Sequence, residues 1–227
     1  MTYIRHVLTH LRKDLRLEWR AREVINGMLF FALLVVVVFS LAFDPAAFPT
    51  IARQISGGLL WVGLLFASIT ALNQSWAREL HNHVLDAQRL APAPASALFV
   101  GKALANLIFV SVIELVLAPV FAVFYNLHPL GQAWLLLVIL PLGTWALTVN
   151  GTFFAALSLR TRNRELLLPL VLCPIAMPAL LAMIQAATDV LTGEYEPGLW
   201  IKLLFAYDVV FTIACVLLFD TVLNSAD

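Results

Sequence analysis

Residues 24–43 read VINGMLFFALLVVVVFSLAF, a run of twenty residues without a charged side chain. A helix of roughly 20 apolar residues crosses a bilayer core about 30 Å thick. The run is therefore predicted to be a transmembrane helix. Because 23 residues precede it and no small-residue cleavage site closes it, we do not expect it to be removed as a signal peptide.

Five further stretches of this kind follow, so that the predicted spans are residues 24–43, 57–77, 103–126, 133–158, 166–187 and 203–223. Hydrophobic residues make up 62% of the 227 residues, charged residues only 12%, and the mean hydropathy is +0.91. These values exclude a water-soluble globular protein. Since the longest loop has 25 residues, the sequence predicts one all-α, polytopic membrane domain over residues 1–227.

The distribution of charge predicts the orientation of the chain. Fourteen basic and fourteen acidic residues balance, which gives no indication of nucleic-acid binding. Twelve of the fourteen Lys and Arg residues lie in the N-terminal segment, in loop 78–102 or in loop 159–165. By the positive-inside rule, these segments and both termini are expected in the cytoplasm.

The N-terminal segment, residues 1–23, is predicted to begin with an amphipathic helix at the membrane surface. Apolar residues recur on one stripe between basic ones, namely Ile4, Val7, Leu8, Leu11, Leu15 and Trp19. Such a helix places its apolar face in the acyl boundary and its cations near anionic lipid head groups. It is either an anchor for the first span or a gating or docking element.

Two cytoplasmic loops are candidate contact surfaces. In loop 78–102, residues 79–90 are predicted to form a short helix that Pro92 and Pro94 end, and this helix is either a docking surface for a soluble partner or a plain connector. The shorter loop 159–165 carries three basic residues that are either a second contact point or simple topology determinants: Arg160, Arg162 and Arg164.

Polar residues inside the predicted spans are a second set of candidates. Glu114 lies near the middle of span three and either has a role in gating or in lining a substrate path, or forms a structural hydrogen bond between helices. Asp208 lies nearer the outer surface and either faces water or has a structural role between helices. Span four has the small and polar residues that let helices approach closely, namely Pro141, Gly143, Asn150, Gly151 and Thr152.

The sequence gives no indication of a catalytic or metal centre. Cys173 and Cys215 lie in apolar runs, and no pair of ionisable residues recurs at metal or catalytic spacing within the spans. The Gly101-Lys102 pair lacks the flanking Gly and Ser or Thr of a P-loop. If ATP drives this protein, another chain must hydrolyse it.

Several stretches resemble one family, the B subunit of the cytochrome c maturation system, which has an ABC-2-like permease architecture. They are DLRLEWRAREVINGMLFF (14–31), GLLWVGLLFASITALNQSWARE (58–79), RLAPAPASALFVGKALANLIF (89–109) and LLLPLVLCPIAMP (166–178). The family's loop motif, Phe-x-x-Asp-x-x-Asp-Gly-Ser-Leu, corresponds here to Trp76, Glu79, Asn82, His83, Val84 and Leu85. Only Leu85 is identical, while Trp76 keeps the aromatic ring and Glu79 the acid.

The resemblance implies a permease subunit in the bacterial inner membrane that works with an ABC ATPase, a haem-handling membrane protein and a small accessory subunit, and that could pair with a second copy. It implies that the ATPase docks on the residues of the loop motif and its neighbour: Trp76, Glu79, Asn82, His83, Leu85 and Asp86. Haem is the implied cargo, with no cofactor bound covalently, and His128 is a conceivable axial ligand. The alternatives are a permease for another lipid-like or drug-like substrate and a scaffold that translocates nothing.

Overall fold

The computed structural model describes residues 2–20, 22–81, 93–127, 132–158, 164–193 and 195–224. These residues form α-helices joined by short turns, and no strand occurs among them. The helices are α1 (Thr2–Arg20), α2 (Arg22–Phe43), α3 (Pro49–His81), α4 (Ala95–Phe124), α5 (Leu136–Ser158, preceded by the 3-10 turn Ala133–Leu135), α6 (Arg164–Thr192) and α7 (Gly198–Asn224).

Helices α2 to α7 are each long and apolar enough to cross a membrane. The prediction of an all-α polytopic membrane protein is confirmed, and each of the six predicted spans falls on one of these helices, if the 3-10 turn is counted with α5. The helices are longer than predicted near loop 78–102. Helix α3 runs on to His81, and α4 begins directly after Pro94, whose fixed φ and missing N–H suit a helix start.

The prediction that a separate short helix begins at residue 79 is therefore wrong. Residues 79–81 continue α3, because nothing between the membrane span and this point breaks a helix. Residues 82–92 lie outside the described part of the chain. At one end of the bundle α3 ends, α4 begins and α1 lies beside them. We call this end of the bundle the α1 end.

Helix α1 packs along α4 with almost no space between the two backbones. A Cβ placed on Gly101 of α4 would lie 2.7 Å from His10 Cβ and 2.9 Å from the Val7 carbonyl oxygen. The Gly-Lys pair thus marks a close helix contact. The inward face of α1 departs from the predicted apolar stripe, because Val7 is buried together with Asp14 and Glu18 while Ile4, Leu8 and Trp19 are exposed.

Helix α5 lies at the centre of the bundle and contacts α3 through two glycines. A side chain at Gly143 would collide with the Trp61 ring, and one at Gly151 would collide with Leu72. Trp76 Nε1 also donates a hydrogen bond of 3.0 Å to the Thr152 carbonyl oxygen. The prediction that small and polar residues of this span allow close helix approach is confirmed.

Replacing Gly101 by Ala should destabilise the protein, because neither the His10 Cβ nor the Val7 backbone can move aside cheaply. We expect a loss of about 1–3 kcal/mol from overpacking, reduced by about 1 kcal/mol from the better helix propensity of Ala. The measurement is the apparent Tm of the purified protein in mild detergent.

Gly27→Ala is the matched control, since Gly27 also lies inside a helix but an added Cβ there would have nothing within 4 Å. It should keep or slightly raise the apparent Tm. If Gly101→Ala behaves like Gly27→Ala, α1 does not pack on α4 as described.

Candidate functional site

Six charged side chains meet at the α1 end and form what we call the ion cluster. Helix α1 contributes Lys13, Asp14 and Glu18, α3 contributes Arg78 and Glu79, and α4 contributes Lys102. Three positive and three negative charges balance. The cluster therefore links three helices at the point where α3 reaches its last described residues.

Lys102 is the centre of the ion cluster and is only 1% exposed. Its Nζ lies 3.3 Å from Asp14 Oδ2 and 3.2 Å from Glu79 Oε1, and it donates a hydrogen bond of 3.2 Å to Ser75 Oγ. The same Nζ stands 4.7 Å from the centre of the Trp76 ring. A buried ammonium needs such compensation, because its desolvation is costly when no opposite charge accompanies it.

The remaining pairs tie α1 to α3. Lys13 pairs with Glu79 and lies 3.2 Å from Asp14 Oδ1, and Arg78 pairs with Glu18. Burial alone would lower the pKa of Lys13, but the carboxylates of Glu79 and Asp14 outweigh it and raise that pKa. The Lys13 side chain is therefore firmly cationic at neutral pH.

His10 lies one turn before Asp14 on α1, against Gly101 of α4. Its partial burial lowers the pKa of the imidazole, and the positive charge of Lys13 lowers it further. His10 is accordingly neutral at physiological pH and adds no positive charge beside the ion cluster.

The structure places the predicted docking residues in two different situations. Trp76 and Glu79 are buried, at 1% and 4% exposure, and contact other helices of the chain. The other four lie outside the described residues: Asn82, His83, Leu85 and Asp86. Of the three arginines of loop 159–165, Arg160 and Arg162 also lie outside them, and Arg164 is the first residue of α6. His128 lies outside them as well.

The two acids singled out in the predicted spans, Glu114 and Asp208, are both buried. Glu114 Oε2 accepts a hydrogen bond of 2.8 Å from Thr144 Oγ1, which joins α4 to α5, and its Oε1 has no hydrogen-bond partner among the described residues. Asp208 is 5% exposed and neither of its oxygens has a partner in that part of the chain. Of the two alternatives for Asp208, this burial favours the structural role over contact with water, because α7 packs this face against its neighbours.

Sequence reasoning missed the ion cluster as a unit. It treated Lys102 as a topology-determining charge and considered only the cations and apolar residues of α1. One signal was present, since Val7, Asp14 and Glu18 follow one another at helical spacing, so that α1 has an acidic patch on the same face as a buried valine. The sequence alone does not say which cation meets this patch.

Comparisons with known proteins match most of the chain. A family model described as CcmB protein matches residues 5–222. The chain is 37% identical over 171 residues to Heme exporter protein B of Rhodobacter capsulatus, covering 75% of this chain and 77% of that protein. The proteins of the same name are 30% identical in Pseudomonas aeruginosa, over 89% and 90% of the two chains, and 33% identical in Paracoccus denitrificans, over 75% and 77%. The predicted resemblance is confirmed, and the chain belongs to the CcmB family.

Proposed function

We propose that this protein is the membrane subunit of an ABC transporter complex for cytochrome c biogenesis, in which a partner ATPase drives export of haem or its release from a haem-handling protein. Relatives named Heme exporter protein B support haem as the cargo. The observation that carries the coupling role is the ion cluster, which joins α3 to α1 and α4 immediately before the loop expected to meet the ATPase.

The proposed transmission path begins in residues 82–92. A push on this segment moves the end of α3, where Arg78 and Glu79 stand. Through their ion pairs with Glu18, Lys13 and Lys102, the movement reaches α1 and α4 together. The ATPase pair would thus shift the helices without contacting the membrane-spanning part of the chain.

The buried positions of Trp76 and Glu79 refine the docking proposal. Neither has the surface to meet another protein, so we assign them to positioning the end of α3. Direct contact with the ATPase then rests on Asn82, His83, Leu85 and Asp86, with Arg160, Arg162 and Arg164 as a proposed second contact. This arrangement requires the α1 end and both termini to face the cytoplasm from the bacterial inner membrane, as the positive-inside rule predicts.

A second candidate is a scaffold that transmits ATP hydrolysis to a haem-handling partner and translocates nothing through itself. The close contact of Trp61 and Leu72 with Gly143 and Gly151 favours it, because these side chains fill the space between α3 and α5. Transport of another lipid-like or drug-like substrate stays as the alternative for the cargo. In each case ATP hydrolysis belongs to the partner subunit, and a small accessory subunit or a second copy of this chain would complete the complex.

Introducing positive charge into the loop should break the proposed docking. We expect the Leu85→Arg, Asp86→Arg variant to lose the ATPase subunit on co-purification in mild detergent. The reason is that an ATPase surface complementary to Leu85 and Asp86 would not be complementary to two arginines. The matched control is Leu199→Arg, Glu196→Arg, which makes the same kind of replacement at exposed positions beside the start of α7.

The control variant should retain the ATPase. Retention by both variants would move the docking surface away from this loop, and failure of the wild-type protein to bind any ABC ATPase would contradict the proposed function.

Removing the central charge should uncouple the complex and destabilise the chain. In Lys102→Met the carboxylates of Asp14 and Glu79 lose one of their two cations, which we expect to cost about 3 kcal/mol. Haem attachment to c-type cytochromes in cells, followed by haem staining, should fall to background although the ATPase still co-purifies. Lys202→Met, at an exposed lysine of α7, should leave both unchanged.

A double variant separates transmission from folding. Lys102→Met, Glu79→Gln again balances the charges, with Lys13 beside Asp14 and Arg78 beside Glu18, so that the apparent Tm should recover while cytochrome c formation should not. Recovery of both properties would show that the ion cluster serves stability alone.

A further inference from the structure

A groove of about 1160 Å³ lies between α1 and α4, and Lys13 is the one member of the ion cluster among the residues that line it. Arginines of α1 line one wall, and apolar residues of α4 line the other, namely Ile108, Phe109 and Val112. Ile108 and Val112 are about two-fifths exposed, so the groove is accessible from outside the bundle. Apart from Lys13, the residues that line the groove have no part in the proposed coupling path.

The basic wall is a regular stripe. Arg12, Arg16 and Arg20 recur every four residues, which places them above one another on one face of α1. All three are exposed, and none has a carboxylate partner among the described residues, whereas each cation of the ion cluster has at least one. Like charges four residues apart destabilise a helix, so the stripe is favourable only when anions neutralise it.

The apolar wall lies along α4, away from the ion cluster's Lys102. Residues 108–112 follow Lys102 by six to ten positions, which at 1.5 Å per residue is about 9–15 Å along α4. Lys102 itself marks the level at which α1 is joined to the ends of the spanning helices. The groove therefore combines cations of α1 with hydrocarbon contact from the membrane-spanning helix α4.

We propose that this groove binds one anionic phospholipid of the adjacent leaflet, with its phosphate between Arg12 and Arg16 and an acyl chain along Ile108 and Val112. An arginine presents a planar fork of donors that matches phosphate oxygens. Basic recesses between spanning helices and surface segments are suited to anionic head groups. Exposed Trp19 borders the same groove, and tryptophan favours the membrane interface.

The chemistry of the lining favours a lipid over haem, the other amphipathic anion that this protein is proposed to handle. The groove residues provide guanidinium, ammonium, hydroxyl, indole and hydrocarbon groups, and they include no imidazole, thiol or thioether that would ligate iron. A phospholipid needs only the cations and the apolar wall. The lipid would hold α1 against α4 on a face of α1 to which the ion cluster contributes only Lys13.

The test uses the purified full-length chain, incubated in mild detergent with equimolar phosphatidylglycerol and phosphatidylcholine and examined by native mass spectrometry. The wild-type protein should retain phosphatidylglycerol in preference to phosphatidylcholine. Arg12→Gln, Arg16→Gln should lose about tenfold or more of this retention. Arg5→Gln, Lys202→Gln removes the same charge from exposed positions outside the groove and should retain it.

A second pair of variants tests the apolar wall without altering the charge. Ile108→Trp fills the groove and should reduce phosphatidylglycerol retention, whereas Leu115→Trp, at an exposed position of α4 outside the groove, should not. Equal retention of the two lipids by the wild-type protein would overturn the proposal. So would an equal loss of phosphatidylglycerol in the Arg12→Gln, Arg16→Gln variant and in its Arg5→Gln, Lys202→Gln control.

Two other occupants would be recognised in the same experiment. A haem adduct that disappears in Arg12→Gln, Arg16→Gln while phosphatidylglycerol persists would assign the groove to haem and overturn the lipid proposal. A change from dimer to monomer in Ile108→Trp with unchanged lipid retention would assign it to a second copy of this chain. Because no ATPase is present, these outcomes are independent of the proposed docking.

Discussion

Burial of the Lys102 ammonium is the constraint around which the α1 end is built. Moving an unpaired cation out of water costs several kcal/mol even after relaxation, so carboxylates must accompany it. The chain provides them from two other helices, Asp14 of α1 and Glu79 of α3. A helix that is amphipathic by its sequence is thereby held against the bundle by charge as well as by the close contact at Gly101.

The membrane spans were predictable because their signal is local. Twenty apolar residues without charge have one stable arrangement in a bilayer, and each predicted span falls on one helix. The helix ends were less predictable. Residues 95–102 contain a lysine and were predicted to belong to a loop. They are helical because Pro94 favours a helix start and because the pairing of Lys102 lets α4 begin before the apolar run.

The ion cluster itself depends on contacts between distant segments, such as pairs 60 and 66 positions apart, which no periodicity within one segment encodes. The acidic positions of α1 were visible, and so were Glu79 and Lys102, but the sequence does not state that these residues meet. The resemblance to the CcmB family directed attention to Glu79 as a docking residue because it keeps the motif's acid. Its burial shows that this acid has structural partners inside the chain.

Helix α1 divides its charges between two faces with different chemistry. Toward the bundle, Asp14 and Glu18 accept cations from α3 and α4, and those cations are neutralised within the protein. Toward the groove, the three arginines find no carboxylate among the described residues and depend on the surroundings for neutralisation. The inner face consequently needs no outside anion to balance its charges, whereas the outer face would respond to the supply of anionic lipid.

Sharing of partners makes the ion cluster suitable for movement as well as for stability. Glu79 pairs with both Lys13 and Lys102, and Asp14 pairs with the same two lysines. If the end of α3 moves away from α4, Glu79 can stay paired with Lys13 while Lys102 stays paired with Asp14. No buried charge is then left without a partner. The high cost of an uncompensated ion is then avoided along the path, and a small displacement of α3 can be passed to α1 without breaking the bundle apart.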